Sequence, residues 1–285
     1  MGSILKNVVH SLIRRIGYDI IRWSGEILPS SPLPPEFQHE IIEVRSRILV
    51  PTVPNPFQMF GRYVAFAGKL HLDYLFNEIY IGASYYFRAD NDRPTILDCG
   101  SNIGLSVLFF KKLYPNAHIM AFEPDPATFA LLCRNVAGLS NVVPHQSALS
   151  DQAGGISFFR NADSNVSDLR MSALSSRFSG TEIKVPAVRL SDYIDGEVDL
   201  LKLDVEGVED RVISDLVATG KIRCIARAHI EYHHHIDTGA DHLSTFLKQL
   251  EDSGFGYQIK AVTDGLWPDE RSFQDISLYC YRKCR

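Results

Sequence analysis

The sequence predicts an α/β fold with a mostly parallel sheet of seven strands, the last two of which form an antiparallel hairpin. Short apolar runs alternate with helical segments from about residue 95 onward, and this alternation is typical of parallel strands joined by helices. The last two apolar runs, 255–262 and 275–281, leave no room for a helix between them. A glycine turn follows the first strand, and α/β sheets bind ligands at that edge.

Each predicted strand is a short apolar run that ends in polar or turn-forming residues. The strands of the parallel part are expected near 95–99, 118–122, 141–146, 198–204 and 223–231. Residues 156–159 and 184–189 interrupt the alternation and are expected to pair with each other, with a Ser- and Asn-rich loop between them. The helix after the glycine turn is expected to begin near Ile103. All these segments belong to one α/β domain.

The first 60 residues are predicted to form an extension of that domain, and the domain itself spans residues 61–285. Residues 4–23 place apolar side chains on one helical stripe and basic side chains elsewhere. This amphipathic helix would pack on its own domain, on a second subunit of a homo-oligomer, or on a membrane surface. Residues 29–57 contain a proline cluster, for which we expect extended or irregular chain.

Composition narrows the classes of function. The chain has 285 residues and a formal net charge of −5, and no basic block interleaved with aromatic residues, so we expect no nucleic acid substrate. The five cysteines are scattered without a C-x-x-C pair, which predicts reduced thiols and a cytoplasmic location. Neither a secretory signal nor an apolar run long enough to span a membrane is apparent in the sequence. These features favour an enzyme that acts on a small molecule.

The turn over residues 98–104 has the spacing of a cofactor-binding loop. Gly100 and Gly104 permit a sharp turn and a close approach of the backbone to a ligand. Dinucleotide-binding folds use G-x-G-x-x-G to hold a pyrophosphate, whereas this turn is G-x-x-x-G and carries polar Ser101 and Asn102. The turn therefore suits a cofactor without phosphate groups.

Glu123 follows the second predicted strand and is the expected ribose ligand. In strand-turn-helix nucleotide sites, an acidic residue about 20 positions beyond the glycines accepts hydrogen bonds from the ribose hydroxyls. A negative charge at this position also argues against a phosphorylated ribose.

A third motif, Leu201-Lys-Leu-Asp-Val-Glu-Gly-Val-Glu, again places acids and a glycine at the end of a buried strand. Together with Asp98-Cys-Gly-Ser-Asn-Ile-Gly and Phe122-Glu-Pro, in this order and spacing, it resembles the FkbM family of S-adenosylmethionine-dependent O-methyltransferases. The resemblance covers roughly residues 75–235. It extends to Phe76-Asn-Glu-Ile-Tyr, Val188-Arg-Leu-Ser-Asp-Tyr and Ile230-Glu-Tyr.

The resemblance implies a class I methyltransferase (Rossmann-like) fold, S-adenosylmethionine as cofactor, and transfer of a methyl group to a hydroxyl. The acceptor would be a small molecule or a sugar, such as a glycan, a glycolipid or a secondary metabolite. Residues 61–285 would be the methyltransferase domain. On this basis we expect the aminoacyl part of the cofactor to contact Gly100, Ser101, Asn102 and Gly104. The ribose would contact Glu123 and Pro124, and the adenine Ser147 and Ala148. Asp98 and Asp204 complete the expected cofactor-binding residues. Asp98 would also accept amides of the glycine loop.

Asp204, Glu231 and His233 are the candidate catalytic residues, because acids at the carboxyl ends of parallel strands meet at one edge of the sheet. A general base helps because an alcohol ionises poorly near neutral pH. Glu206 and His234 are further candidates, and the sequence does not rank them. The carboxylates of Asp204 and Glu231 and the imidazole of His233 could also bind a divalent cation. Adjacent histidines at a strand end are more often surface residues, so we assign no metal ligand.

Several alternatives stay open at this stage. A nicotinamide-dependent oxidoreductase would also use the fold and Glu123, and a non-catalytic scaffold could retain a methyltransferase fold. Glu209 could simply complement the positive N-terminus of the following helix. An acceptor sugar could stack on Trp267, on Phe273 or on the aromatic run 85–87.

Overall fold

The computed structural model describes residues 31–160, 171–172, 182–236, 241–261 and 274–283. The α-helices are α1 Pro35–Ile48, α2 Lys69–Phe76, α3 Leu105–Leu113, α4 Pro126–Val136, α5 Glu209–Ala218 and α6 Leu243–Asp252. The strands are β1 Phe57–Met59, β2 Arg62–Val64, β3 Thr95–Cys99, β4 His118–Phe122, β5 Val142–His145, β6 Ala148–Leu149, β7 Gly154–Arg160, β8 Met171–Ser172, β9 Glu182–Val188, β10 Leu200–Leu203, β11 Arg227–His234, β12 Phe255–Ala261 and β13 Gln274–Arg282. A π-helical turn, Asn77–Ile81, continues α2.

The central sheet has seven strands in the order β12-β13-β11-β10-β3-β4-β5. Strands β11, β10, β3, β4 and β5 are parallel, and β13 pairs antiparallel with both β11 and β12. The predicted α/β fold with a mostly parallel seven-stranded sheet and a C-terminal hairpin is therefore confirmed. Its chain order reverses between β3 and β10, and ligand sites of open α/β sheets lie at such a point.

A second, four-stranded sheet has the order β6-β9-β7-β8. Strand β7 pairs antiparallel with β9, as predicted from the two apolar runs, and β6 pairs parallel with β9. The Ser- and Asn-rich loop between β7 and β9 lies outside the described residues, apart from the two residues of β8. This sheet follows directly on β5, and Ala148 is the first residue of its strand β6.

The proline cluster does not make residues 29–57 irregular throughout, because Pro35–Ile48 is a helix. Pro35 occupies the first turn, where its missing N–H has no helical partner to lose. Phe37, Ile41 and Val44 recur on one face and are buried. The helical spacing of these apolar residues outweighs the flanking prolines.

Helix α1 packs on the same hydrophobic cluster as the central sheet. The Phe37 ring lies 5.9 Å from that of Phe109 on α3 and 6.2 Å from that of Tyr80. Residues 1–30, including the predicted amphipathic helix, lie outside the described residues, and the domain boundary at residue 60 stays a prediction. Among the helices that the structure describes, none combines the length and apolar character of a membrane span.

Two element boundaries differ from the sequence prediction. Helix α3 begins at Leu105 and not near Ile103, because Gly104 has the left-handed backbone conformation that ends the turn. Strand β11 begins at Arg227 and not at residue 223, because a 3₁₀ turn occupies Lys221–Cys224.

Candidate active site

The glycine turn sits at the carboxyl end of β3, against the end of β10. Gly100 has φ +83°, and a Cβ built on it would lie 1.7 Å from the carbonyl oxygen of Asp204. Gly104 has φ +88°, and its Cβ would lie 2.8 Å from the Leu132 side chain of α4. Gly100 is therefore required by the close approach of two strand ends, and Gly104 by helix packing.

Buried charged groups support the turn from behind. The Asp98 carboxylate is inaccessible to solvent and accepts a 2.6 Å hydrogen bond from the Ser106 hydroxyl. The Lys202 ammonium donates to the Gly100 carbonyl at 2.6 Å and to Asp204 at 3.2 Å, and it lies 3.8 Å from Asp98. Burial raises the pKa of Asp98. Burial alone would lower the pKa of Lys202, but Asp204 and Asp98 raise it, so this lysine is a permanent cation.

Three of the residues assigned to the cofactor support the turn and lie away from the cleft in front of it. Asp98 is fully buried, and its described side-chain bond is to Ser106, not to amides of the glycine loop. The Ser101 hydroxyl donates to the Asp98 carbonyl at 2.7 Å. Gly104 faces α4. These three residues are not among those that line the cleft, and their assignment to the cofactor stays a prediction.

Glu123 closes the other side of the turn. Its carboxylate accepts the Asn102 amide at 3.0 Å through Oε2 and the Asp125 amide at 2.9 Å through Oε1. Burial raises the pKa of Glu123 to about 8, although the two amide donors oppose this. Each carboxylate oxygen has a second lone pair, so the group can still accept a ligand hydroxyl.

A cleft opens in front of these groups, at the carboxyl ends of the parallel strands. The predicted cofactor residues that line the cleft are Gly100, Asn102, Glu123, Pro124, Ser147, Ala148 and Asp204. Glu206, a further candidate for the general base, lines it as well, together with four residues that the sequence did not single out for the site: Phe122, Leu149, Phe158 and Val205. Phe158 and Leu149 give the cleft an apolar wall, and both come from the second sheet.

The three candidate catalytic residues meet at the carboxyl edge of β10 and β11, beside the cleft. His233 Nε2 lies 3.9 Å from Asp204 Oδ1 and 3.4 Å from Glu206 Oε2. Ligand atoms of Glu231, His233 and Asp275 lie within 4.8 Å of one another. Asp275 was not singled out from the sequence; it is directly opposite His233 in the β11–β13 register.

Glu209 lies in the first turn of α5, where an acid complements the helix N-terminus, and it also contacts His233. It is 2 % exposed, and its Oε1 accepts the amides of Val205 and Gly207 and contacts His233 Nδ1 at 2.8 Å. Burial would lower the pKa of His233, but Glu209 and Glu206 raise it. Glu206 itself has φ +58°, a left-handed conformation that is uncommon for a side chain of its size.

The comparisons with known proteins agree with this architecture. The sequence profile of the Methyltransferase FkbM domain matches residues 98–259. The chain belongs to the FkbM methyltransferase family. The match begins at Asp98 in the glycine turn and includes every residue that lines the cleft. It also includes the acidic cluster, by which we mean Asp204, Glu206, Glu231, His233 and Asp275, except for Asp275.

Curated relatives lie in fungi and bacteria. The chain is 33% identical over 181 residues to Methyltransferase 1 of Beauveria bassiana, covering 55% of this chain and 72% of that protein. It is 34% identical over 145 residues to 2-O-methyltransferase NoeI of Sinorhizobium fredii, covering 45% and 58%. It is 30% identical over 191 residues to 31-O-demethyl-FK506 methyltransferase FkbM of Streptomyces tacrolimicus, covering 54% and 72%.

Besides Asp275, this FkbM-family site has another carboxylate that was not predicted from the sequence. Glu78, on the π-helical turn after α2, accepts a 2.8 Å hydrogen bond from the Tyr85 hydroxyl. Burial, reinforced by Asp204, raises the pKa of Glu78 to about 7. Glu78 lies within Phe76-Asn-Glu-Ile-Tyr, a segment that carries part of the family resemblance. The sequence does not show that this segment lies at the edge of the sheet.

The other predicted contacts fall in different places. Tyr85 lies with its ring centroid 5.3 Å from the Lys202 ammonium, whereas Phe87 packs in the core against Phe110. Trp267 and Phe273 lie outside the described residues. His234 is near His235 and Asp241, away from the cleft. Tyr85 therefore lies beside the lysine that supports the glycine turn, whereas Tyr86 packs against the hydrophobic cluster.

Proposed function

We propose that this FkbM-family methyltransferase uses S-adenosylmethionine to methylate a hydroxyl group of a sugar or another small molecule. The observation that carries the proposal is the cleft at the carboxyl ends of β3, β4 and β10, with Glu123 on one wall and the acidic cluster at its end. The similarity to NoeI and FkbM, whose names specify O-methylation, supports a hydroxyl acceptor.

The residues present fit such a cofactor. Gly100 and Asn102 line the cleft and would face the aminoacyl part. Glu123 would accept the ribose hydroxyls, since its two oxygens are fixed by backbone amides and keep free lone pairs. Phe158 and Leu149 would pack on the adenine beside Ser147 and Ala148.

S-adenosylmethionine supplies an already activated methyl group, so the protein has mainly to align the acceptor oxygen. Positioning of two reactants can contribute about 7–11 kcal/mol to rate enhancement. The rigid strand ends serve this purpose: Lys202 bonds the glycine turn to Asp204, and Asp204 faces the cleft. Asp204, Glu231 and His233 would orient the acceptor hydroxyl, and one of them would act as the general base. A positioned general base increases the rate by about 10²–10⁴-fold.

The test is a transfer assay with methyl-labelled S-adenosylmethionine and a panel of acceptors. The panel contains methyl glycosides with free hydroxyls, their deoxy analogues, and hydroxylated macrolides. We expect label in at least one hydroxyl class and none in the matching deoxy analogue. Glu123→Ala should reduce transfer at least tenfold, and Asp252→Ala, which alters an exposed carboxylate of α6, should leave it unchanged.

Two outcomes would contradict the proposal. Tight binding of the cofactor with no transfer to any acceptor would favour the scaffold alternative. Preference for NADH over S-adenosylmethionine would favour the oxidoreductase alternative. The cytoplasmic location, membrane contact through residues 4–23, homo-oligomer formation and the exclusion of nucleic acid stay predictions from the sequence.

A further inference from the structure

Glu78 is a carboxylate to which the proposed transfer assigns no role, and a tight loop holds it in place. Its Oε1 accepts a 2.8 Å hydrogen bond from the Tyr85 hydroxyl. The Ser84 hydroxyl donates to the Glu78 carbonyl at 2.9 Å. A Cβ on Gly82 would lie 2.7 Å from that same carbonyl oxygen, so the loop can pack this closely only because residue 82 is a glycine. Both the backbone and the side chain of Glu78 are therefore positioned by the loop that follows it.

The π-helical turn that carries Glu78 is anchored in the core behind the glycine turn. The buried Tyr80 hydroxyl donates to the Leu105 carbonyl at 3.0 Å, and Leu105 is the first residue of α3. The Tyr80 ring stacks on that of Phe76 with 4.9 Å between the ring centroids. π-helical turns are rare and occur frequently at functional sites. The turn thus presents Glu78 from a rigid support.

Tyr85 connects Glu78 with the strand ends that form the cleft. The Tyr85 ring centroid lies 5.3 Å from the Lys202 ammonium, which donates to Asp204 at 3.2 Å, and Asp204 lines the cleft. Burial raises the pKa of both Glu78 and Glu231, and the negative charge of Asp204 raises both further. Glu78 therefore lies near the sheet edge that carries Asp204 and Glu231, but on a separate element.

The carboxylate of Glu78 has capacity for a further hydrogen bond. Among the described residues, the Tyr85 hydroxyl is the one hydrogen-bond donor to this carboxylate, and it uses Oε1. The attraction of Lys202 does not outweigh burial and the charge of Asp204, because the pKa of Glu78 rises to about 7. A carboxylate held at such a cost in a cleft region is a candidate for a functional role. Glu78 is only partly buried, so a ligand can reach it.

An exposed aromatic ring lies beside Glu78. Tyr74 of α2 is 44 % exposed. The charge of Glu78, together with burial and the charge of Glu231, raises the pKa of the Tyr74 hydroxyl, so the ring borders these carboxylates. A sugar presents C–H groups that pack on an aromatic face and hydroxyls that donate to carboxylates. The combination of Tyr74 and Glu78 suits such a ring better than an apolar acceptor.

We propose that Glu78 binds the acceptor by accepting a hydrogen bond from a second hydroxyl, beside the one that receives the methyl group. Under the proposed function, Asp204, Glu231 and His233 orient the methylated hydroxyl at the sheet edge, and Glu78 on the separate element takes a different donor. The acceptor then carries at least two hydroxyls, as a sugar does, and Tyr74 packs on its ring. This selection rests on the proposed methyl transfer, whereas binding of the acceptor can be measured without transfer.

The experiment measures binding in the presence of S-adenosylhomocysteine, so its failure is distinct from a failure of methyl transfer. Saturation-transfer NMR on the full chain gives dissociation constants for the methyl glycosides of glucose, galactose and mannose, for each monodeoxy analogue, and for cyclohexanol. We expect at least one glycoside to bind at least tenfold more tightly than cyclohexanol. Removal of one particular hydroxyl should weaken its binding at least fivefold.

Glu78→Gln should weaken binding of that glycoside by a similar factor, because an amide oxygen is a weaker acceptor than a carboxylate while the side chain keeps its shape. The variant and the monodeoxy analogue together should show little further loss, since both remove the same hydrogen bond. Glu43→Gln, which alters an exposed carboxylate of α1, is the matched control and should change no dissociation constant.

Should Glu78→Gln fail to fold, the monodeoxy series on the unaltered chain still decides, together with Tyr74→Leu, which should weaken glycoside binding severalfold. Equal binding of the glycosides and cyclohexanol would overturn the proposal. So would unchanged glycoside binding in Glu78→Gln, or losses from this variant that add fully to those of every hydroxyl removal.

Discussion

Replacement of Gly100 by alanine tests whether the close approach of β3 and β10 builds the cleft. The new Cβ would lie 1.7 Å from the Asp204 carbonyl oxygen, whereas real Cβ contacts are essentially never under 3.0 Å. Neither strand end can shift freely, because the Asp204 amide donates to the Cys99 carbonyl and the Gly100 amide to the Phe122 carbonyl. Relief of the clash must therefore deform the glycine turn.

The expected loss combines two contributions. A left-handed backbone with a side chain costs about 1–2 kcal/mol, and overpacking of a rigid site costs a further 1–3 kcal/mol, roughly. The free energy of unfolding in urea should therefore fall by about 2–5 kcal/mol. Affinity for S-adenosylhomocysteine should fall at least tenfold, because the turn that faces the ligand is displaced.

Gly138→Ala is the matched control. Gly138 also has a positive φ, +77°, but a Cβ there meets nothing within 4 Å. Its replacement should cost only about 1–2 kcal/mol and leave ligand affinity unchanged. Equal losses of stability in the two variants, with equal ligand affinity, would refute the reasoning that the approach of the strands determines the site.

Three further predictions concern buried polar and charged groups. Lys202→Met should lower the free energy of unfolding by about 3–5 kcal/mol, measured in urea, because the fully buried Asp98 and the partly buried Asp204 lose their cation; an unchanged midpoint would contradict this. Asn135→Ala should lower the free energy of unfolding by about 2–4 kcal/mol in the same measurement. The Asn135 side chain accepts the Ala65 amide and donates to the carbonyls of Ala65 and Ile103, and the variant loses all three hydrogen bonds. A loss below about 1 kcal/mol would show that water replaces them. Burial raises the pKa of Glu123 to about 8, and the ionised carboxylate is the better hydrogen-bond acceptor. The affinity for S-adenosylhomocysteine, measured by calorimetry, should therefore rise by up to about tenfold per pH unit below pH 8 and then level off. Glu123→Gln should remove most of this pH dependence.

The sequence was most informative where chemistry and strand ends coincide. Asp98, Glu123 and Asp204 each follow an apolar run, so the parallel sheet and the edge that carries the site could be predicted from periodicity. Helix α1 was missed because local proline signals were weighed above the helical spacing of Phe37 and its apolar neighbours.

Long-range contacts account for most of what was missed in the site. Asp275 reaches the cluster only through the register of β11 with β13, and Phe158 reaches the cleft only through the second sheet. Glu209 was expected to serve its own helix because the contact with His233 joins residues far apart in the chain. No local sequence pattern predicts these contacts between distant residues, because they form only when the strands of the sheets pair.

The most direct test of the proposed function is calorimetric titration of the purified chain with S-adenosylmethionine, S-adenosylhomocysteine and NADH, repeated on Glu123→Ala. We predict binding of the first two with dissociation constants in the micromolar range, its loss in Glu123→Ala, and no binding of NADH. Binding of NADH in preference to the sulfonium cofactor, or sulfonium binding that Glu123→Ala leaves intact, would contradict the assignment of the cleft.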